Sequence, residues 1–262
     1  MKTIRRGSKG TAAKLCQQRL NANGFGPLVE DGDFGKITER AAIQYQQAHD
    51  LEVDGIIGPA TWTSLMAGQP MPTPAEVLKE QQDDLLAKAS PTPGLQVIQA
   101  AIKDLGFKEI PNGSNGGPEI NHIVEGYWDH WGIDPTGRSM PPWCAISVSH
   151  WMKEGLGAED WKGIPFKKWF GGCAQILKWA TKHDCYEEAN SGRTVETGEV
   201  FLLSSRDGSD PSSSPRAGHT GYVICDEGDA VITIEGNTSN AVKSLRRKKS
   251  QIMGFVKWWD AE

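Results

Sequence analysis

Two octapeptides constrain the front of this chain more than any other feature. Asp31-Gly32-Asp33-Phe34-Gly35-Lys36-Ile37-Thr38 and Asp54-Gly55-Ile56-Ile57-Gly58-Pro59-Ala60-Thr61 share the pattern D-G-x-apolar-G-x-x-T, 23 residues apart. Each reads as a turn that launches a helix. Asp-Gly makes the turn, the apolar residue plugs a core, and the second glycine is expected to take a backbone conformation closed to other residues. Ala13, Cys16 and Leu20 before the first copy, and Ala42, Tyr45 and His49 between the two, recur at helical spacing. A three-helix, all-α domain over residues 1–68 follows. Asp31, Asp54 and Thr61 are read as turn and cap residues, Cys16 as a small core residue, and Trp62 as core packing in preference to a stacking platform.

Residues 69–93 read as a linker. Pro70, Pro72, Pro74, Pro91 and Pro93 bracket a charged helical stretch from Ala75 to Ala89, whose Val77, Leu78, Leu85 and Leu86 could dock on either neighbour. The second domain, 94–262, opens with an amphipathic helix carrying Leu95, Ile98, Ala101, Ile102 and Leu105. A Gly-rich loop, 107–118, precedes another helix to about Trp131. From Thr197 the period changes. Val200–Leu203, Thr220–Ile224, Ala230–Ile234 and Ile252–Trp258 predict an antiparallel sheet with helices on one side, an α+β class. Ser204–Arg216 reads as a long loop, either a lid or a disordered insertion. Arg246-Arg247-Lys248-Lys249 reads as the tip of a hairpin.

The chemistry concentrates after Pro141-Pro142-Trp143-Cys144. Prolines tolerate a first helical turn, and Ile146, Val148, Trp151 and Met152 give the following helix an apolar side, so Cys144 is placed at a helix N-terminus. There, free N–H groups and the helix dipole lower a thiol pKa by roughly one to several units. His219 opens a β-prone run 75 residues later, and Glu235 and Asn237 end the next one. A thiol, then an imidazole, then a polar orienter on adjacent strands is a nucleophile–base arrangement in papain-like order. Cys173, also ahead of a helical pattern, is the rival nucleophile. Cys185 and Cys225 read as small buried residues. His150 should point away from the thiol, and His183 should meet the dipole at a helix end. His122 and His130, eight residues apart, could align on one helix face, but no carboxylate or third histidine completes a metal site, so they read as surface or core histidines and no metal is expected.

Composition excludes other classes. A net charge of −5 argues against nucleic acid as a partner and against simple electrostatic capture by an anionic surface. Five cysteines in an odd, unpatterned set suggest a reducing compartment, not a disulfide framework. The basic N-terminus has no apolar stretch behind it and is not read as a signal peptide.

Residues 94–262 resemble the cysteine, histidine-dependent amidohydrolase/peptidase (CHAP) family, through Pro142-Trp143-Cys144-Ala145 with Val148 and Trp151, Gly198-Glu199-Val200-Phe201, Gly218-His219-Thr220-Gly221 and Glu235-Gly236-Asn237. Glu199 stands where that family often has aspartate. The resemblance implies a papain-like fold with Cys144 as nucleophile, His219 as general base and acid, and Glu235 and Asn237 as the groups that orient and polarise the ring. It sets the 107–118 loop close to the groove, so that Asn115 and Glu119, with Trp143, become candidate substrate contacts, a plain solvated loop and helix cap being the alternative for the first two. The run before Cys144 lacks the DxD set some members use for calcium, and no cofactor is expected.

The first domain resembles the small peptidoglycan-binding domain of wall hydrolases through Gly7, Gly10, Leu15, Gln17, Leu20, Gly24, both repeated turns, Tyr45-Gln46, Thr61-Trp62 and Leu65. Together the two resemblances imply an endolysin-like, monomeric peptidoglycan hydrolase, made in a host cytoplasm and acting on the wall after holin-dependent release. It would cut an amide bond as endopeptidase or N-acetylmuramoyl-L-alanine amidase. The alternatives are a secreted antibacterial toxin with the same chemistry and a non-catalytic wall-binding structural protein.

Overall fold

The computed structural model describes residues 1–67, 74–132, 141–157, 166, 168–189, 192–204 and 217–261. It divides into two compact units, Met1–Gln81 and Gln82–Glu262, and the division falls inside helix α4, Pro74–Lys88.

In the first unit α1 (Thr11–Ala22), α2 (Lys36–Ala48) and α3 (Pro59–Leu65) enclose a core of Ile4, Cys16, Leu20, Phe34, Ala42, Tyr45, Ile57, Trp62 and Leu65. Phe34 and Ile57, the apolar positions of the two repeats, are fully buried. What closes each repeat is a glutamine. Gln17 Nε2 donates to Asp31 Oδ1 at 2.8 Å, to the Asp33 carbonyl at 3.1 Å and to Thr38 Oγ1 at 3.2 Å, while its Oε1 accepts from the Gly32 N–H at 2.9 Å. Gln46 does the same one repeat later, to Asp54 Oδ1 at 2.8 Å, the Ile56 carbonyl at 2.9 Å and Thr61 Oγ1 at 3.3 Å, accepting from the Gly55 N–H at 2.9 Å. Each clamp satisfies buried backbone groups that a three-helix core cannot reach.

The glycine expectation needs correcting. It is the first glycine of each repeat, Gly32 at φ 73° and Gly55 at φ 70°, that takes the left-handed conformation, whereas the second ones, Gly35 at φ −83° and Gly58 at φ −84°, are ordinary extended N-caps. The tight turn falls inside Asp-Gly itself. Trp62 is buried and donates Nε1–H to the Lys2 carbonyl at 3.1 Å, a core role. His49 is exposed and stacks on Tyr45 with ring centroids 4.1 Å apart.

The second unit mixes helices with an antiparallel sheet. Helices α5 (Leu95–Lys103), α6 (Pro118–Trp131), α7 (Cys144–Gly155) and α8 (Cys173–Lys182) come first in the chain. Among the described residues six strands follow: β1 (Tyr186–Glu188), β2 (Val200–Ser204), β3 (Ala217–Asp226), β4 (Ala230–Glu235), β5 (Lys243–Lys248) and β6 (Gly254–Val256), in the order β1-β6-β2-β3-β4-β5. The register sets Leu203 opposite His219, Tyr222 opposite Ile234, and Glu235 opposite Lys243. The expected 252–258 strand shrinks to Gly254–Val256, and β1 and β5 were not anticipated. Both are short or highly charged edge strands, whose sequences lack the apolar alternation of a half-buried strand. The long loop expected before His219 lies almost wholly outside the described residues.

Helix α7 is the hub. Every residue from Cys144 to Met152 is buried, including Ser147, Ser149 and His150, because α5, α6, α8 and β3 surround it. A helix enclosed on all sides loses amphipathicity, and its polar residues must find partners inside. Ser149 Oγ donates to the Ala145 carbonyl at 3.2 Å and accepts from the Phe170 N–H at 3.0 Å, and Tyr222 Oη on β3 donates to the Val148 carbonyl at 2.8 Å. No described helix is long and apolar enough to cross a membrane.

Candidate active site

Cys144 is the first residue of α7, capped by Trp143, and only 6% of its surface is exposed. Its Sγ lies 3.6 Å from Sγ of Cys173, the first residue of α8. The two thiols cannot ionise independently. A hydrogen bond from the Cys173 thiol lowers the Cys144 pKa most, burial opposes it, and the His219 ring and the Ala145 N–H lower it further. Cys173 is driven the other way, by its bond to Cys144 and by burial. Both directions favour the negative charge on Cys144, with Cys173 as the S–H beside it. Cys16 and Cys185, by contrast, are buried without such partners, and burial pushes their thiols up to about 12 and about 11.

His219, near the start of β3, meets this thiolate from the sheet. Its Nε2 is 2.9 Å from Glu235 Oε2 and 3.1 Å from Thr238 Oγ1, and Cys144 and Glu235 both act on the ring electrostatically. Burial would lower its pKa, but the bonds to Cys144 and Glu235 outweigh it and raise the pKa to about 9. Glu235 has no exposed surface. Burial alone would raise its pKa, yet Arg247 contributes Nε at 2.6 Å and Nη2 at 2.5 Å, and with His219 and the Thr233 hydroxyl at 2.5 Å brings it down to about 2. A bidentate guanidinium keeps a buried carboxylate ionised where burial would otherwise protonate it. The result is a chain of alternating charge: thiolate, imidazolium, carboxylate, guanidinium.

The turn after β4 is brought onto α7 by Gly236. A Cβ there would lie 2.2 Å from Ser147 Oγ and 2.8 Å from Trp143 Cζ3, so only glycine permits the approach. This packing brings Glu235 and Thr238 to the head of the helix that carries the thiol.

Of the residues expected at the site, Cys144, His219 and Glu235 come together. Asn237 does not join them: it adopts φ 59° in the turn, and among the described residues the ring's polar partners besides Cys144 are Glu235 and Thr238. Trp143 is fully buried and donates Nε1–H to Glu109 Oε1 at 3.0 Å, so its ring offers no face to a substrate. Glu119 Oε2 accepts the Lys108 N–H at 3.0 Å, closing the 107–118 loop, and Asn115 sits in that loop at φ 52°. The loop itself is tied to the post-β4 turn by Glu109 N–H to the Asn240 carbonyl at 2.9 Å and Val242 N–H to the Phe107 carbonyl at 2.8 Å. Two residues were missed. Arg247, read as a hairpin tip, lies in β5 and holds Glu235; a run of four basic residues concealed that Arg246 and Arg247 alternate across an edge strand, Arg246 pairing outward with Glu227 and Asp229. Thr238 follows Asn237 directly, and its hydroxyl spacing from Glu235 was the available signal.

A second cluster lies away from this site. Asp104, His122 and His150 bring one ligand atom each to within 4.8 Å of one another. The expectation that His122 lacks companions therefore fails, because they stand on other helices, where spacing along one helix cannot reveal them.

Residues 9–65 match the family described as "Putative peptidoglycan binding domain". The match lies within the first unit, where the two repeated turns and the three helices stand. A 65-residue stretch is 40% identical to the zinc D-Ala-D-Ala carboxypeptidase of Streptomyces albus G, covering 24% of this chain and 26% of that protein. Among solved structures, a peptidoglycan-binding protein from Clostridioides difficile in complex with glutamine hydroxamate is 41% identical over 24% of this chain and 40% of its own, with a TM-score of 0.24. The endolysin of Burkholderia phage AP3 is 28% identical over 50% of this chain and 49% of its own, with a TM-score of 0.25. The chain spans about a quarter of the carboxypeptidase and half or less of each structure.

Proposed function

We propose that this protein is a peptidoglycan hydrolase of the CHAP type, in which a papain-like second unit cleaves an amide of the stem peptide or cross-link while the first unit holds the chain on the wall. The observation that carries the reading is the joined set: Cys144 at the head of α7, His219 on β3, and Glu235 Oε2 2.9 Å from the His219 ring. The thiolate attacks a peptide carbonyl, and the backbone N–H of Cys144 at the head of α7 faces the developing oxyanion, worth about 3 kcal/mol per well-placed donor. His219 gives its proton to the leaving amine, and the thioester forms. Water, deprotonated by the now neutral His219, attacks that thioester and releases the acid, restoring thiolate and imidazolium. Glu235 acts by charge, stabilising imidazolium through Nε2, and Thr238 fixes the ring plane.

Tethering by the first unit raises the effective concentration of the second at its polymer. The test is mass spectrometry of fragments released from purified sacculi by the wild-type protein and by Cys144→Ala. Release by wild type alone, with new peptide or muramoyl termini naming the bond, is the expected result. Binding by both with release by neither would leave a wall-binding protein without hydrolytic activity.

A further inference from the structure

Buried polar side chains normally find partners, so each exception needs an explanation. His150 is one: it is 6% exposed, and its Nε2 has no hydrogen-bond partner. That atom lies 3.8 Å from Oδ2 of Asp104, too far for a hydrogen bond. Asp104 is itself buried at the C-cap of α5, and its Oδ2 accepts the Trp151 Nε1–H at 2.8 Å. The ring of His122, on α6, meets the His150 ring edge-on with centroids 5.0 Å apart, and the Trp169 ring stacks on the other side of His150 at 6.4 Å. Three helices thus converge two imidazoles and a carboxylate on one point.

We propose that Asp104, His122 and His150 bind a divalent transition-metal ion of the zinc class. Two ligands on a tetrahedral ion with bonds of about 2.0 Å stand about 3.3 Å apart, close to the Asp104–His150 separation of 3.8 Å. All three ligand atoms lie within 4.8 Å of one another, and His122, the exposed member, is the one that would adjust to close on an ion. Two imidazoles and one carboxylate favour zinc-like ions over calcium or magnesium, which take oxygen donors. The Trp151 indole, bonded to the carboxylate, is the kind of outer partner that orients a metal ligand. Lys103, Lys153 and Glu154 border the cluster and partly offset one another in charge. A fourth position would be left for water. The ion would tie α5 and α6 to α7, the helix that carries Cys144, a structural role distinct from the thiol chemistry.

The test uses the full chain carrying Cys144→Ala, which removes the competing thiolate. After chelator treatment and buffer exchange, Co2+ is titrated and followed by visible absorption, then displaced with Zn2+ and measured by calorimetry and thermal unfolding. The expected result is one equivalent with ligand-field bands and no thiolate charge-transfer band, a Zn2+-dependent rise in Tm, and affinity weakened at least about tenfold by adding His122→Ala, as for lost metal-site partners generally. Metal-free His122→Ala should match its metal-free parent in far-UV circular dichroism, showing that it folds. No stoichiometric binding, affinity unchanged by His122→Ala, or a thiolate band assigning the metal to the cysteines would each overturn the proposal.

Discussion

Cys173 offers the sharpest test of how this site makes a nucleophile. Its S–H stands 3.6 Å from the Cys144 sulfur, both atoms are buried, and this bond is the largest influence holding the Cys144 thiol in its ionised form. Hydrogen bonds to charged groups contribute about 1.5–3 kcal/mol. A thiol is a weak donor, so the lower end applies, and about 1.4 kcal/mol corresponds to about one pK unit. Cys173→Val, close in volume but without a donor, should therefore raise the Cys144 pKa by about one unit and slow its alkylation roughly tenfold at pH values below the midpoint. Cys173→Ser keeps a donor and should stay within a few tenths of a unit of wild type, about the spread expected for similar hydrogen bonds. The assay is the pH dependence of iodoacetamide modification, with the Cys144 peptide quantified by mass spectrometry. It needs no substrate. If the valine and wild-type midpoints coincide, the thiol pair is only a packing contact and the reasoning is refuted.

Three other outcomes follow from the same geometry. Activity should require thiolate and imidazolium together, so kcat/KM should rise through an acidic limb below the ordinary thiol range and fall as His219 loses its proton near pH 9; Glu235→Gln, which removes the charge that raises that pKa, should pull the basic limb down by about one unit or more. Thr238→Val should cost activity worth about 1 kcal/mol, the contribution of one hydrogen bond, whereas Asn237→Gly, which keeps the left-handed turn, should leave the pH profile and kcat unchanged. Gln17→Ala and Gln46→Ala should each destabilise the first unit by about 2–4 kcal/mol, since each strands a buried glycine N–H and several acceptors; urea unfolding giving unequal losses would show that the two clamps are not equivalent.

Glu235 also links the site to stability. Its pKa falls from about 4.5 to about 2 on folding, so its contribution is complete above the unfolded value and fades as pH drops from there toward 2. Acid unfolding of the second unit should therefore carry a component removed by Glu235→Gln.

Much of this was legible from local chemistry. The repeated D-G-x-apolar-G-x-x-T segments announced two turns with Phe34 and Ile57 as plugs, because turn preference and burial are properties of a few adjacent residues. Cys144 at a helix start followed from Pro-Pro ahead of an apolar pattern, and the match to a peptidoglycan-binding family lies where the repeats predicted a three-helix domain. His219 and Glu235 were visible because each ends or opens an apolar run.

Other features exist only through contacts between distant segments. Arg247 reads as a solvated basic turn until β5 sets it against a carboxylate twelve positions earlier. Trp143 reads as a candidate substrate contact until Glu109, in another loop, takes its N–H. Cys173 is one of two thiols at helix starts until the packing of α7 and α8 brings it to 3.6 Å from Cys144, and Asp104, His122 and His150 form a cluster only because three helices converge. The sequence by itself determined the turns, the helix starts and the reactive residue types, which depend on neighbours within about a helical turn. Which thiol ionises, which residue orients the imidazole and where an unpaired histidine nitrogen points were decided by tertiary structure, because charge, burial and hydrogen bonding at a buried atom are set by whatever the rest of the chain brings within a few ångströms of it.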